Sequence, residues 1–214
     1  MVDVPTTQAE RPRSPADAFV PLIVMIVAMW AIELIDVPLD GRLDRFGIRP
    51  RQVDGLDGIV LAPFLHAGWA HLIANTVPFV VMGGVICLSG AKRFVQVTVI
   101  VGLSSGVGVW LTGAGNSLVV GASGLVFGYL TYLVARGIVA RNLLYLAAGA
   151  AVLAVYGGVI WGLLPTPGIS WQGHLFGAIG GVIAASVLHG GTAEDQAGTA
   201  SSSGSTSTTL RPPR

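Results

Sequence analysis

Residues 19–35 read FVPLIVMIVAMWAIELI, with Glu33 the one ionisable residue among them. A run of about 17–20 apolar residues, wound as a helix, crosses a hydrocarbon core roughly 30 Å thick. Five further runs have the same character, at about 71–89, 94–111, 122–138, 143–163 and 174–189. Polar residues punctuate them. Lys92 and Arg93 separate the second run from the third, and Arg136 and Arg141 the fourth from the fifth. Gly, Asn and Ser at 112–117 and the Pro165–Gly168 stretch mark the other breaks. Only 11% of the chain is charged, against roughly 25% in a soluble domain. That is too little to clothe a soluble core, a requirement a bilayer removes. The 30 glycines suit helices whose backbones approach closely in lipid. The expectation is an all-α membrane protein of six transmembrane helices.

The organisation expected is a polar cytoplasmic segment over 1–18, a membrane domain over 19–189 and a disordered tail over 190–214. The tail is rich in Ser, Thr and Gly, and lacks the apolar residues that offset the entropy of ordering. The first run follows a polar, proline-containing stretch and has no small-residue cleavage site after it, so it reads as a retained span rather than a signal peptide. Basic residues cluster at 11–13, 92–93 and 136–141, whereas the loops at 112–120 and 165–173 hold no Lys or Arg. The positive-inside rule then puts both termini in the cytoplasm. The loop at about 38–66 also carries Arg42, Arg45, Arg49 and Arg51, balanced by four aspartates. A connection of that length is usually functional, and its Pro63, Phe64 and Trp69 suit the membrane interface. Glu33 and Asp36 are expected at that interface too. Net charge is +1, so charge implies no nucleic-acid partner. Cys87 is alone, which rules out a disulfide within the chain and reads as a small buried hydrophobe.

Polar groups within spans are costly, so each needs a reason. Ser123 lies in GASGLVFG at the start of the fourth run. Free backbone N–H groups and the helix dipole there favour negative charge, which suits an oxyanion. An N-cap or a packing serine has the same address. His174 lies in WQGHLFGAIGG at the start of the sixth run, with Gly177 and Gly181 on its helical face. The fourth run has a matching pair, Gly124 and Gly128. If the two stripes meet, hydroxyl and imidazole come within hydrogen-bond reach as a nucleophile and its base. His71 and Asn75, spaced i,i+4, serve either as oxyanion donors or as a polar pair between helices. They could supply two metal positions, but no further ligands accompany them, so no metal or cofactor is implied. Phe127, one turn below Ser123, either stacks on the His174 ring or packs in the core or against lipid. His66 is expected to tie down the first loop, and His189 to close the sixth span at the cytoplasmic end.

Taken together and in order, His66, His71-Leu72-Ile73-Ala74-Asn75, Gly121-Ala122-Ser123-Gly124 and His174-Leu175-Phe176-Gly177 resemble the rhomboid family of intramembrane proteases. The resemblance covers about 19–189 and implies a six-helix rhomboid-like bundle. It implies a serine endopeptidase with Ser123 as nucleophile, His174 as general base, and no carboxylate third member. Asn75, His71 and the Ser123 N–H would stabilise the oxyanion, and the Gly121–Gly124 turn would leave room for substrate. The implied substrates are other membrane proteins, cut in or near a transmembrane helix at a small residue. The implied setting is a bacterial inner membrane. Many members carry a Trp-Arg pair in the first loop; here Arg42, Arg45 or Arg49 is expected to substitute. The family tyrosine one turn after the nucleophile is Phe127 here. Two alternatives stand beside this reading. A non-catalytic rhomboid-like protein that binds transmembrane helices would differ at the Ser–His pair, which this chain keeps. A small transporter would need ligand groups at mid-membrane, and spans two to six hold no deep acidic residue. Substrate identity and oligomeric state stay open.

Overall fold

The computed structural model describes residues 14–155, 160–166 and 168–188. Six helices dominate: α1 (Val20–Asp36), α2 (Trp69–Cys87), α3 (Ala91–Thr112), α4 (Ser123–Ala140), α5 (Leu143–Val155) and α6 (Trp171–Val187). Each falls on one of the apolar runs. The first four are long and apolar enough to cross a membrane. The fifth run is helical over α5 and turns again at Ile160–Leu163. Among the described residues, strand-type pairing is limited to two isolated bridges, Ile48 with Val119 and Thr166 with Ile169. The first thirteen residues, His189 and the Ser/Thr/Gly-rich tail lie outside the described residues.

Burial follows the logic of lipid rather than water. Ile23, Val24, Val27 and Leu34 of α1 are exposed, as an outer helix facing acyl chains requires. α4 is the central helix. Its residues from Gly124 to Leu130 are all buried, as are Tyr132 and Leu133. The Tyr129 hydroxyl shares a 2.6 Å hydrogen bond with the Thr98 hydroxyl of α3, which satisfies its polar tip inside the bundle.

The close approach of α4 and α6 fixes the rest. A Cβ at Gly177 would overlap the Gly124 carbonyl, and one at Gly181 would overlap the Gly128 carbonyl. A Cβ at Gly128 would stand 2.7 Å from the Gly177 carbonyl oxygen. The two glycine stripes therefore meet, carbonyl to Cα. Hydroxyls reinforce the seam where no water competes. Thr131 donates to the Ala178 carbonyl at 2.7 Å, and from α3 Ser105 donates to Gly173 at 2.9 Å and Ser104 to Phe176 at 2.7 Å. α6 thus lies in a groove between α3 and α4.

The loop between α1 and α2 is built from short turns: Val37–Leu39, Arg42–Phe46, Val53–Gly55, Gly58–Leu61 and Ala62–Phe64. Glu33 and Asp36, expected at the interface, are instead buried at 2% and 3% exposure. For Asp36 the reason is local: a carboxylate oxygen accepts the Leu43 N–H at 2.7 Å. Asp36 thus holds the loop, and the folded loop covers both carboxylates.

A glycine at the seam and one away from it should separate packing from propensity. Gly177→Ala should lower the Tm in detergent by roughly 2–12 °C, because overpacking costs about 1–3 kcal/mol. Gly84→Ala, where nothing lies within 4 Å of the added Cβ, should leave Tm unchanged or raise it.

Candidate active site

Ser123 is the first residue of α4. The chain reaches it through Gly121, whose φ of +111° is a conformation that L side chains rarely adopt. A Cβ there would also stand 2.6 and 2.7 Å from His71 Cε1 and Nε2. The backbone N–H groups before Ser123 are taken: Gly121 donates to the Ala62 carbonyl at 2.8 Å, and Ala122 to His66 Nε2 at 3.5 Å. The Ser123 N–H has no acceptor among the described residues. It is an orphan donor of the helix start, beside the Ser123 hydroxyl.

His174 sits in the first turn of α6, which is capped by Ser170 through a 3.3 Å bond from the Gly173 N–H. Its Nε2 lies 2.8 Å from Ser123 Oγ, and its Nδ1 lies 2.7 Å from the carbonyl oxygen of Gly162. A carbonyl oxygen only accepts, so Nδ1 carries the proton. In the neutral ring Nε2 is then the acceptor, and the Ser123 hydroxyl donates to it. Phe127 stacks on the imidazole, with centroids 4.2 Å apart and planes 10° from parallel.

His71 receives the Ala67 N–H at Nδ1, 3.4 Å away. Its neutral ring accordingly bears hydrogen on Nε2, the atom beside Gly121. Asn75 donates one amide hydrogen to the His71 carbonyl at 2.9 Å and keeps the other. A cavity of about 1180 Å³ is lined by Ser123, His174, His71, Asn75 and Phe127. The arrangement can take a proton from a hydroxyl and offer several N–H donors to one developing negative charge.

A family model of the rhomboid domain matches residues 55–191. This chain belongs to the rhomboid family. It is similar to uncharacterised proteins of Mycobacterium tuberculosis and Mycobacterium bovis, each 43% identical over 194 residues that cover 86% of this chain and 80% of the relative. A Mycobacterium leprae protein, likewise uncharacterised, is 43% identical over 178 residues, covering 79% and 70%.

In this rhomboid the first loop grips the segment that leads to Ser123. Ile48 and Val119 exchange backbone hydrogen bonds of 2.9 and 3.0 Å. Arg51 donates through Nη1 to the Gly113 carbonyl at 2.7 Å, and its own N–H reaches the Trp110 carbonyl at 2.9 Å. Gln52 donates to Gly115 at 3.2 Å. The arginine that holds the loop is therefore Arg51, not Arg42, Arg45 or Arg49. Arg49 pairs instead with Asp54 at 2.7 Å, and Arg45 lies over its neighbour Phe46. Arg51 stands at φ +59°, after Pro50, and the turn aims its fork at the end of α3. The residue type carried no sign of this, since four arginines share the loop. The Gly162 contact was likewise silent, because a carbonyl belongs to every residue.

Two loop groups titrate abnormally. Burial, helped by the neighbouring His71 ring, pulls His66 down to about 4 from its ordinary 6.5, while the Phe64 carbonyl opposes this. Burial and the nearby Asp36 carboxylate push Asp44 up to about 6 from 3.8. The signs differ. The fold favours neutral His66, so stability is lost as pH falls from 6.5 towards about 4. The fold favours protonated Asp44, so stability is lost as pH rises from 3.8 through about 6. Asp44→Asn should therefore raise the Tm at about pH 7.5 and leave it unchanged at about pH 3.5. His66→Gln, which keeps an acceptor for the Ala122 N–H, should flatten the decline on the acid side. Thermal unfolding across pH checks both.

Proposed function

We propose that this chain is an intramembrane serine endopeptidase that cuts transmembrane or juxtamembrane segments of other membrane proteins. The observation that carries the reading is the 2.8 Å contact between Ser123 Oγ and His174 Nε2, inside a cavity large enough for an extended peptide. A packing serine and a packing histidine have no need of such a cavity.

The steps follow from the donors and acceptors. Ser123 Oγ attacks the scissile carbonyl carbon while His174 Nε2 takes the hydroxyl proton. The carbonyl electron pair moves onto oxygen, where the Ser123 N–H, the His71 Nε2–H and the free Asn75 amide hydrogen receive it. Collapse breaks the C–N bond, and His174 gives its proton to the leaving amine. Water then attacks the acyl-enzyme, passing a proton to His174, and the second collapse returns that proton to Oγ. An oxyanion donor contributes on the order of 10²–10³ in kcat. The glycine turn at 121–124 and the stacked Phe127 keep the cavity wall free of bulky, mobile side chains near the reacting carbon. Small residues at the cleavage point fit this space best.

The positive-inside pattern supports an orientation with both termini in the cytoplasm, and the mycobacterial relatives support a bacterial cytoplasmic membrane. Ser123 would then work from the extracytoplasmic side.

Ser123→Ala should lower cleavage of a co-expressed single-pass substrate by at least about three orders of magnitude, with membrane yield and Tm unchanged. A fluorophosphonate probe should label the wild type in detergent and fail on Ser123→Ala, and labelling should weaken strongly in His174→Ala. Chelators should have no effect. Cleavage that survives in Ser123→Ala would remove the assignment, and a wild type inert to substrate and probe would favour the helix-binding alternative.

A further inference from the structure

The catalytic pair has a neighbour that neither the Ser–His pattern nor the family match accounts for. Gly162 lies in the turn Ile160–Leu163, on a different element from Ser123 and from His174. Its carbonyl oxygen faces His174 Nδ1 at 2.7 Å. The fit is close on the other side as well. A Cβ at position 162 would stand 2.8 Å from Nδ1, 3.0 Å from Cε1 and 3.3 Å from Phe127 Cζ. Glycine is thus the residue that lets this backbone reach the ring edge, while Phe127 covers the ring face. His174 is 7% exposed, so little water is available to take over the Nδ1 proton.

We propose that the Gly162 carbonyl is a positioning group for catalysis, filling the place that a carboxylate holds in a Ser–His–Asp triad. This rests on the protease reading above and adds a third member to it. In that triad the buried carboxylate holds the imidazole in one tautomer and orientation and stabilises the imidazolium. The Gly162 oxygen does the first through a single acceptor and the second through its dipole. During attack the Ser123 proton moves to Nε2 while the Nδ1 proton stays on its bond to Gly162, so one proton moves and none is lost. A neutral acceptor brings no second charge into a buried site, which avoids the desolvation cost of a carboxylate. The turn at 160–163 must then be seated against α6 for the base to be correctly configured.

The test uses the full chain in detergent. Replacing Leu163 with its α-hydroxy analogue turns the 162–163 peptide into an ester. The Gly162 carbonyl becomes a weaker acceptor and no side chain changes. Fluorophosphonate labelling of Ser123 should slow about tenfold, the range of one hydrogen bond to a charged group. Gly162→Ala, which pushes the ring away, should slow it about a hundredfold. Ring 15N shifts of His174 supply the readout that a packing defect would not move. The wild type should show Nδ1 protonated and Nε2 bare, and both variants a mixture of tautomers. An ester variant with wild-type tautomer and wild-type labelling would overturn the proposal. A wild type inert to substrate and probe would sink the protease reading and the catalytic role of Gly162 with it, whereas an active wild type with an unchanged ester variant would sink the role of Gly162 alone.

Discussion

Everything at the site depends on how near α4 comes to α6. Two helices with ordinary side chains between them pack 8–10 Å apart, and a serine and a histidine in their first turns meet only if the interface is favourable. Here Gly124, Gly128, Gly177 and Gly181 remove the intervening side chains, and carbonyls of one helix lie where Cβ atoms of the other would be. Lipid offers no hydrophobic drive for this approach, so close contact and hydroxyl-to-carbonyl bonds must supply it. Thr131, Ser104 and Ser105 make those bonds. The same stripes place Ser123 and His174 at matching levels. Stability and chemistry thus share one cause.

The second constraint is on unpaired backbone donors. A helix start leaves several N–H groups without partners, and in an apolar setting each is costly. This fold satisfies the two that precede Ser123, through the Ala62 carbonyl and the His66 ring, and leaves the next one facing the cavity. Holding His66 neutral fits that duty, because a ring that must accept at Nε2 cannot also carry a proton there. Buried Asp36 does related work at the start of the same loop by accepting the Leu43 N–H, with the Glu33 and Asp44 carboxylates close enough to repel one another.

Much of this was legible in the chain beforehand, for definable reasons. Apolar runs marked all six helices, four of them long and apolar enough to cross a membrane. The polar residues inside those runs stood out because burial of Ser, His and Asn in lipid demands an explanation. Glycines spaced by four residues pointed to the pairing of α4 with α6. What escaped is what side-chain identity does not encode. The Gly162 contact is made by a backbone atom near the end of the fifth apolar run, where the structure has a short turn. The loop between α1 and α2 lacks any repeating pattern, so neither its turns nor the choice of Arg51 among four arginines could be read. Glu33 and Asp36 looked interfacial because charge near the end of a span usually is, yet the loop folds back to cover them.

On residues 113–121 the grip of the first loop falls on main-chain atoms: Ile48 pairs with Val119, the Arg51 and Gln52 side chains donate to the Gly113 and Gly115 carbonyls, and the Gly121 N–H donates to Ala62. The exposed Leu118 side chain forms part of the cavity wall and makes none of those bonds, whereas Val120 packs against Gly47 of the loop. The size and shape of residue 118 are consequently free to drift. Under the proposed function, relatives sharing this framework could diverge in what they accept by exchanging that wall residue, and a designer could retarget the protein at the same position.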